Sequence, residues 1–142
     1  MNTVASMLQR KKGSLLSVGP QTTVLEALAM MAKHNVGSVI IMDKDAFLGI
    51  MTERDYSRKV ILKDKNSIST KVEEIMSKDM PAVHPSDTTE HCMQLMTENN
   101  IRYMPVIENN KITGIISMSD VVKATIGAQK DTISQLHNYI NS

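Results

Sequence analysis

The feature that most constrains this chain is that it repeats itself. Sliding the 142-residue sequence by 65 positions sets Val18 on Val83, Pro20 on Pro85, Thr23 on Thr88 and Met31 on Met96. The same shift sets Asn35 on Asn100, Gly49 on Gly114, Ile50 on Ile115 and Asp55 on Asp120, with no gap. Chance gives about two or three such identities. Conservative pairs fill the intervals: Val36 with Ile101, Ile41 with Val106, Met42 with Ile107, Asp43 with Glu108 and Thr52 with Ser117. A sequence of this kind folds as two related units, so each copy can be checked against the other.

Each copy has the same pattern. Thr23 to His34 carries Val24, Ala27, Leu28 and Met31 at helical spacing, and Thr23 with Glu26 forms the outline of a capping box. Ser38 to Met42 is a β-branched run, 43–46 a polar turn and Phe47 to Met51 a second strand, so a hairpin follows the helix. A further helix is expected from Glu53 to about Leu62. The second copy predicts a helix at 88–99, strands at 103–107 and 112–117 around a turn at 108–111, and a helix at 119–126. Between the copies, Lys63 to Ser69 is loop-like and Thr70 to Met76 suits a helical turn or two. Ile133, Leu136 and Ile140 predict a closing helix over 131–140 that packs on the body or on a partner. An isolated hairpin is marginal in water. The expected fold is therefore α/β (α+β), two repeats of helix, hairpin and helix packed about a pseudo-two-fold axis with two related clefts between them.

Composition narrows the function. The formal charge is +1, so no broad attraction to nucleic acid or anionic lipid is expected. Aromatic residues make up 3% with no Trp, which argues against stacking platforms for single strands. Twelve Met residues suit an adaptable core. The one cysteine, Cys92, excludes an internal disulfide and agrees with a reducing compartment. The longest apolar run, Val39 to Met42, is too short for a bilayer, and Met1 to Leu8 lacks the apolar stretch of a secretory signal. The expected location is cytoplasmic.

The segment with chemical potential is Gly49-Ile50-Met51-Thr52-Glu53-Arg54-Asp55, echoed by Gly114-Ile115-Ile116-Ser117-Met118-Ser119-Asp120. In both, a strand ends in Thr or Ser and a carboxylate follows three residues on, as a helix begins. One reading is structural: Thr52 and Ser117 cap helices whose dipoles Asp55 and Asp120 complement. The other is that the helix N-terminus offers backbone N–H groups to a phosphate, the hydroxyl joins in, and the carboxylate accepts both hydroxyls of a ribose.

The helix, hairpin and G-h-h-[ST]-x-x-D helix, occurring twice, resemble a tandem pair of cystathionine-β-synthase (CBS) domains over roughly residues 14–127. Thr52 to Val60, and Ile101-Arg102-Tyr103-Met104-Pro105-Val106, are similar to the small stand-alone bacterial members. The resemblance divides the chain into an N-terminal segment 1–13, a first repeat 14–63, a linker with a short helix 64–78, a second repeat 79–127 and a C-terminal helix 128–142. It implies two β-α-β-β-α repeats, a strand standing ahead of each first helix, and a homodimeric, disc-shaped sensor with no active site that binds adenosine-containing ligands such as AMP, ADP, ATP, NAD(H) or S-adenosylmethionine. Carried over by residue, one cleft places phosphate and ribose at Thr52 and Asp55, with the base near Met80, Pro81, Ala82, Ile101, Arg102 and Tyr103. Its mate uses Ser117, Ser119 and Asp120, with Leu16, Val18, Val36, Gly37 and Ser38 around the base.

The copies differ in charge. Arg54, Arg58 and Lys59 surround the first motif, where Ser119, Lys123 and Ala124 stand in the second. Guanidinium groups grip phosphates bidentately. A polyphosphate is therefore expected at Asp55 and AMP or a nucleoside end at Asp120, unless Arg54 and Arg58 form a solvated face or a dimer contact. Tyr103 either stacks on a base or fills the core, and Met51, Met80 or Met104 could plug a cleft.

Other signals lead nowhere. His34, His84, His91 and His137 lack zinc-ligand spacing, with His34 and His91 expected on helix surfaces, and Asp43-Lys44-Asp45 lacks the Gly and Glu of a calcium loop. No phosphate-loop, dinucleotide or serine-hydrolase motif occurs, and Cys92 is not expected to act as a nucleophile. An enzyme would have only Glu53 as a visible base. The alternative to a sensor is a protein-interaction scaffold with degenerate clefts and an unidentified protein target.

Overall fold

The computed structural model of the chain describes residues 2–11 and 15–140, the side chains of residues 131, 132 and 139 excepted. Positions 12–14, where the N-terminal segment was expected to meet the first repeat, and 141–142, at the end of the expected C-terminal helix, lie outside the described residues. The elements in chain order are α1 (Val4–Arg10), β1 (Ser17–Val18), α2 (Val24–His34), β2 (Ser38–Asp43), β3 (Ala46–Thr52) and α3 (Glu53–Tyr56). They continue with α4 (Thr89–Asn99), β4 (Tyr103–Glu108), β5 (Lys111–Ser117) and α5 (Met118–Ile140). These form two units, Ser14–Met80 and Met1–Gly13 with Pro81–Ser142.

In the first-repeat unit, β1 runs parallel to β2 and β2 antiparallel to β3, giving the order β1-β2-β3. Four consecutive residues of β2, Ser38 to Ile41, are buried, as expected of a central strand covered on both faces. Val24, Ala27 and Met31 of α2 pack with Val39, Ile41, Met51, Val60, Val72 and Ile75 into one core. The Thr23 hydroxyl accepts from the Glu26 N–H at 3.2 Å, so the Thr23 half of the expected box forms. The helix ends at Asn35, whose φ of 53° is the left-handed cap that Asn tolerates.

The second-repeat unit follows the same plan. β4 and β5 form an antiparallel hairpin, and a parallel bridge Val83↔Val106 stands where β1 stands in the other unit. Both hairpins shift register at corresponding places, Ile41/Met42 and Val106/Ile107. Val83, Cys92, Met96, Met104, Val106, Ile116, Val121 and Ala124 form the core, and α1 adds Val4 and Met7.

A short segment closes each unit. In the first, Val24 N–H donates to the Thr70 carbonyl and Val72 N–H to the Thr22 carbonyl, both at 2.9 Å. In the second, Thr89 N–H donates to the Asn2 carbonyl at 3.1 Å and Val4 N–H to the Asp87 carbonyl at 2.9 Å. Residues 2–8 therefore do for the second repeat what 70–76 do for the first. Burying side chains such as Val4 and Met7 contributes roughly 1.5–3 kcal/mol each, enough to hold α1 in place.

Two expectations are corrected. The helix predicted from Glu53 to Leu62 is α only as far as Tyr56, and Ser57–Ile61 is a π-turn in which Leu62 N–H reaches the Ser57 carbonyl at 3.1 Å. The helices expected at 119–126 and 131–140 are one 23-residue helix, α5. Gly127 costs about 1 kcal/mol relative to Ala inside a helix, but it takes no left-handed φ here and so does not end one.

Candidate functional site

The motif Thr52-Glu53-Arg54-Asp55 sits where β3 passes into α3. Asp55 N–H donates to the Thr52 hydroxyl at 3.1 Å, and Thr52 N–H returns to Asp55 Oδ2 at 2.9 Å, a complete capping box. The Thr52 hydroxyl also donates to Oδ2 at 3.0 Å. On the other oxygen, Ser77 donates its hydroxyl at 2.8 Å and Lys59 its ammonium at 3.0 Å. The carboxylate is thus buried with both oxygens occupied. Ser77 is placed there because its backbone pairs with Ile50, donating at 2.8 Å and accepting at 3.0 Å. Gly49 permits that pairing, since a Cβ at this position would stand 2.7 Å from the Ser77 carbonyl oxygen.

Ser117-Met118-Ser119-Asp120 repeats the design with one substitution. Asp120 N–H donates to the Ser117 hydroxyl at 3.1 Å and Ser117 N–H to Asp120 Oδ2 at 2.8 Å. The Lys11 ammonium, at the end of α1, donates to Asp120 Oδ2 at 3.0 Å and to the Ile115 carbonyl at 2.9 Å. In the first unit Ser77 makes both corresponding bonds, to Asp55 and to Ile50. Lys11 was missed in the sequence because nothing local joins it to a carboxylate 109 positions away.

The backbone reading of phosphate binding needs correction. Glu53 N–H already donates to the Gly37 carbonyl at 3.2 Å, and Met118 N–H to the Arg102 carbonyl at 2.8 Å. With the Asp55 and Asp120 N–H groups taken by the capping hydroxyls, two of the first three donors of each helix are occupied. A phosphate here must be gripped mainly by side chains.

Within each unit the motif touches its own pre-hairpin segment. Ser38 lies opposite Thr52 in register and Tyr103 opposite Ser117. Leu16, Val18, Val36, Gly37 and Ser38 thus belong to the unit of Thr52, Arg54, Asp55, Arg58, Lys59 and Met80. Pro81, Ala82, Ile101, Arg102 and Tyr103 belong to that of Ser117, Ser119 and Asp120. Arg54, Arg58, Val36, Ala82, Arg102 and Ser119 are exposed, Ser38 is buried, and Met80, Pro81, Ile101 and Tyr103 are half-buried. Met51 and Met104 are fully buried in the cores of their own units.

Electrostatically, Lys59 is bound to Asp55 and to the Ile75 carbonyl, so its charge is engaged within the unit. Lys11 adds a cation at Asp120 that comparing the two copies did not assign, which narrows the contrast in charge between the motifs. Lys59 and Lys11 are 44% and 41% exposed, and such pairs contribute only about 0–1 kcal/mol. Either can be exchanged for another donor.

Cys92 is fully buried, and that burial, helped by the charge of Asp87, pushes its thiol from 9.0 up to about 11. It is a packed thiol, not a nucleophile. His34 and His91 are exposed on their helices. Among the described residues no group of three or more His, Cys, Asp or Glu could hold a metal ion. Among them, too, no helix is long and apolar enough to cross a membrane.

Comparison with known proteins agrees with this construction. The sequence profile of the CBS domain matches twice, at residues 8–61 and 72–127. A mitochondrial CBS domain-containing protein of Arabidopsis thaliana, CBSX3, is 36% identical, covering 97% of this chain and 71% of that one. A solved protein with CBS domains from Burkholderia ambifaria is 39% identical over 90% of this chain and 96% of its own, with a TM-score of 0.84. A CBS-domain containing protein from Agrobacterium tumefaciens, ATU1752, is 35% identical over 87% and 99%, with a TM-score of 0.81.

Proposed function

The chain belongs to the CBS-domain family, with the domain present twice in tandem, and from that premise we propose that it is a regulatory, non-catalytic module that binds adenosine-containing nucleotides. AMP, ADP, ATP and NAD(H) are the candidate ligands, and occupancy is signalled by a change of conformation. The observation that carries this reading is the state of the two carboxylates. Each is fixed by a capping box, and each also accepts from an ammonium weak enough to be replaced. The vicinal hydroxyls of a ribose offer the two donors that such a carboxylate takes in exchange.

In the first-repeat unit, Thr52 and Asp55 would then hold the ribose, and Arg54 and Arg58 the phosphates. Leu16, Val18, Val36, Gly37 and Ser38 form its apolar and backbone flank. Ser117, Ser119 and Asp120 are the counterparts in the second, flanked by Pro81, Ala82, Ile101, Arg102 and Tyr103. Adenosine as the common element is supported at the level of the fold by the CBS domain pair of protein MJ0100, solved in complex with 5′-methylthioadenosine and S-adenosyl-L-methionine. A ribose at Asp120 displaces Lys11 and removes one tie between α1 and β5. The response cannot exceed the ligand's differential affinity for the tied and untied states. We assign the protein to the cytoplasm, in keeping with its single, buried cysteine.

The test is calorimetric titration and thermal unfolding with AMP, ADP, ATP, NAD, NADH and S-adenosylmethionine, with hydrogen exchange over 4–10 as the signalling readout. A ligand at about 100 times its Kd adds roughly 2.7 kcal/mol. A folded protein that binds none of them below about 1 mM overturns the sensor. The scaffold reading would then stand, favoured by one observation: among the described residues every buried side-chain polar atom is satisfied without a ligand.

A further inference from the structure

A groove of about 550 Å³ opens on the second-repeat unit where α4 begins beside α5. Thr89 and Glu90 line it from α4, and Thr125, Ala128, Gln129 and Ile133 from α5. Asn2 completes the lining with its amide already spent: Nδ2 donates to the Ala124 carbonyl at 3.0 Å and Oδ1 accepts from Arg10 at 3.1 Å. The hydroxyl protons are committed as well, that of Thr89 to the Asn2 carbonyl at 3.2 Å and that of Thr125 to the Val121 carbonyl at 2.9 Å. Only lone pairs are left on these oxygens. Glu90 is exposed and has no hydrogen-bond or ion-pair partner among the described residues. The fold does not require this polarity, since the shift of 65 sets Val24, Leu25 and Val60 of the first repeat on Thr89, Glu90 and Thr125.

We propose that this groove binds a free aliphatic amine in its ammonium form. A carboxylate and hydroxyl oxygens that can only accept, with the Gln129 amide able to present its carbonyl, require a ligand that brings positive charge and N–H donors. A primary ammonium donates on every hydrogen and accepts nothing. It is protonated at neutral pH, and its charge-assisted bond to a carboxylate is about twice as strong as a neutral one, which makes Glu90 the anchor. Ala128 and Ile133, the latter 66% exposed, give the alkyl chain an apolar strip to lie along. The volume falls within the roughly 300–1,000 Å³ of small-molecule sites. A phosphate or carboxylate ligand would meet the charge of Glu90 and oxygens without protons to offer. The groove therefore selects the opposite sign of ligand from the motif at Asp55, and it uses neither Asp55 nor Asp120.

The test is a heteronuclear NMR titration of the full chain with n-butylamine near neutral pH and at constant ionic strength. Saturable shifts are expected at the amides of Glu90, Thr125 and Gln129. Glu90→Gln, a substitution of equal size at an exposed position, is expected to weaken binding about tenfold or more with unchanged circular dichroism. Tetramethylammonium, which has the charge but no N–H, is expected to bind about tenfold more weakly than n-butylamine. Absence of saturable shifts up to about 10 mM, equal affinity in Glu90→Gln, or equal affinity for tetramethylammonium overturns the proposal. A lysine-containing peptide that binds the groove when n-butylamine does not overturns it too, in favour of a protein partner.

Discussion

Replacing each motif carboxylate by Ala should separate the two copies by stability. Asp55 accepts from Thr52 N–H, the Thr52 and Ser77 hydroxyls and the Lys59 ammonium, with its side chain 8% exposed. Losing the reciprocal cap costs about 1 kcal/mol. Hydrogen bonds to a charged acceptor are worth roughly 1.5–3 kcal/mol each and are not additive. Lys59 can turn to solvent, so the expected loss for Asp55→Ala is about 3 kcal/mol, a fall in Tm of about 10 °C for a chain of this size. Among the described residues Asp120 accepts from Ser117 N–H and the half-exposed Lys11, and Asp120→Ala should cost about 1–1.5 kcal/mol. Urea unfolding followed by far-UV circular dichroism measures both. If Asp120→Ala loses as much as Asp55→Ala, the hydrogen-bond accounting is wrong, and Ser77 contributes nothing to the first motif. A loss near 3 kcal/mol would also make Asp55→Ala a poor probe of ligand binding, since weaker binding would follow from damage to the fold.

Arg58→Ala is the cleaner probe: the side chain is exposed, so stability should hold within about 0.5 kcal/mol while calorimetric affinity for ATP falls about tenfold and that for AMP changes little. Gly49→Ala should destabilise by about 1–3 kcal/mol in urea, because its Cβ meets backbone at Ser77; Gly114→Ala meets only the end of the Leu8 side chain, which can rotate, and should cost less. The Cys92 thiol keeps its proton in the fold up to about pH 11, against 9.0 for the free group, so its contribution is intact below about pH 9 and declines between 9 and 11. The decline amounts to about 2–3 kcal/mol. It should be absent from the Cys92→Ala variant, so that the difference curve between parent and variant contains it in full, and the native thiol should resist alkylation at pH 8.

The elements legible in the sequence were those with local causes. Thr23 and Thr88 announce the starts of α2 and α4, and Asn35 and Asn100 their ends. The tight turn at Asn109-Asn110, where both residues take positive φ, follows from the tolerance of Asn for that region. The equivalence of 2–8 with 70–76 was hidden because it holds at a spacing of 68 and not 65, although Val4, Met7 and Leu8 match Val72, Ile75 and Met76. That three-residue slip is the signal that would have led to α1. The π-turn after α3 was unreadable, since one turn of side chains does not distinguish a period of 3.6 residues from a wider one. At the site, the carboxylates and capping hydroxyls were legible from spacing. Their further partners Ser77 and Lys11 were not, because tertiary placement alone brings them there.

The closure of the second repeat by residues 2–8 bears on how the chain is completed during synthesis. Residues 15–80 can settle as soon as they leave the ribosome, since they contain their own closing segment. Residues 4–10 have no such place when they are made, because α1 packs on β5 and α5, which are translated after the first repeat. At about 5–20 residues per second the apolar face of Val4, Met7 and Leu8 waits roughly 5–20 s for its counterpart. Helix α1 is thus made before the first repeat and seated after it, and a nascent chain halted within the second repeat would display it to whatever binds exposed apolar helices.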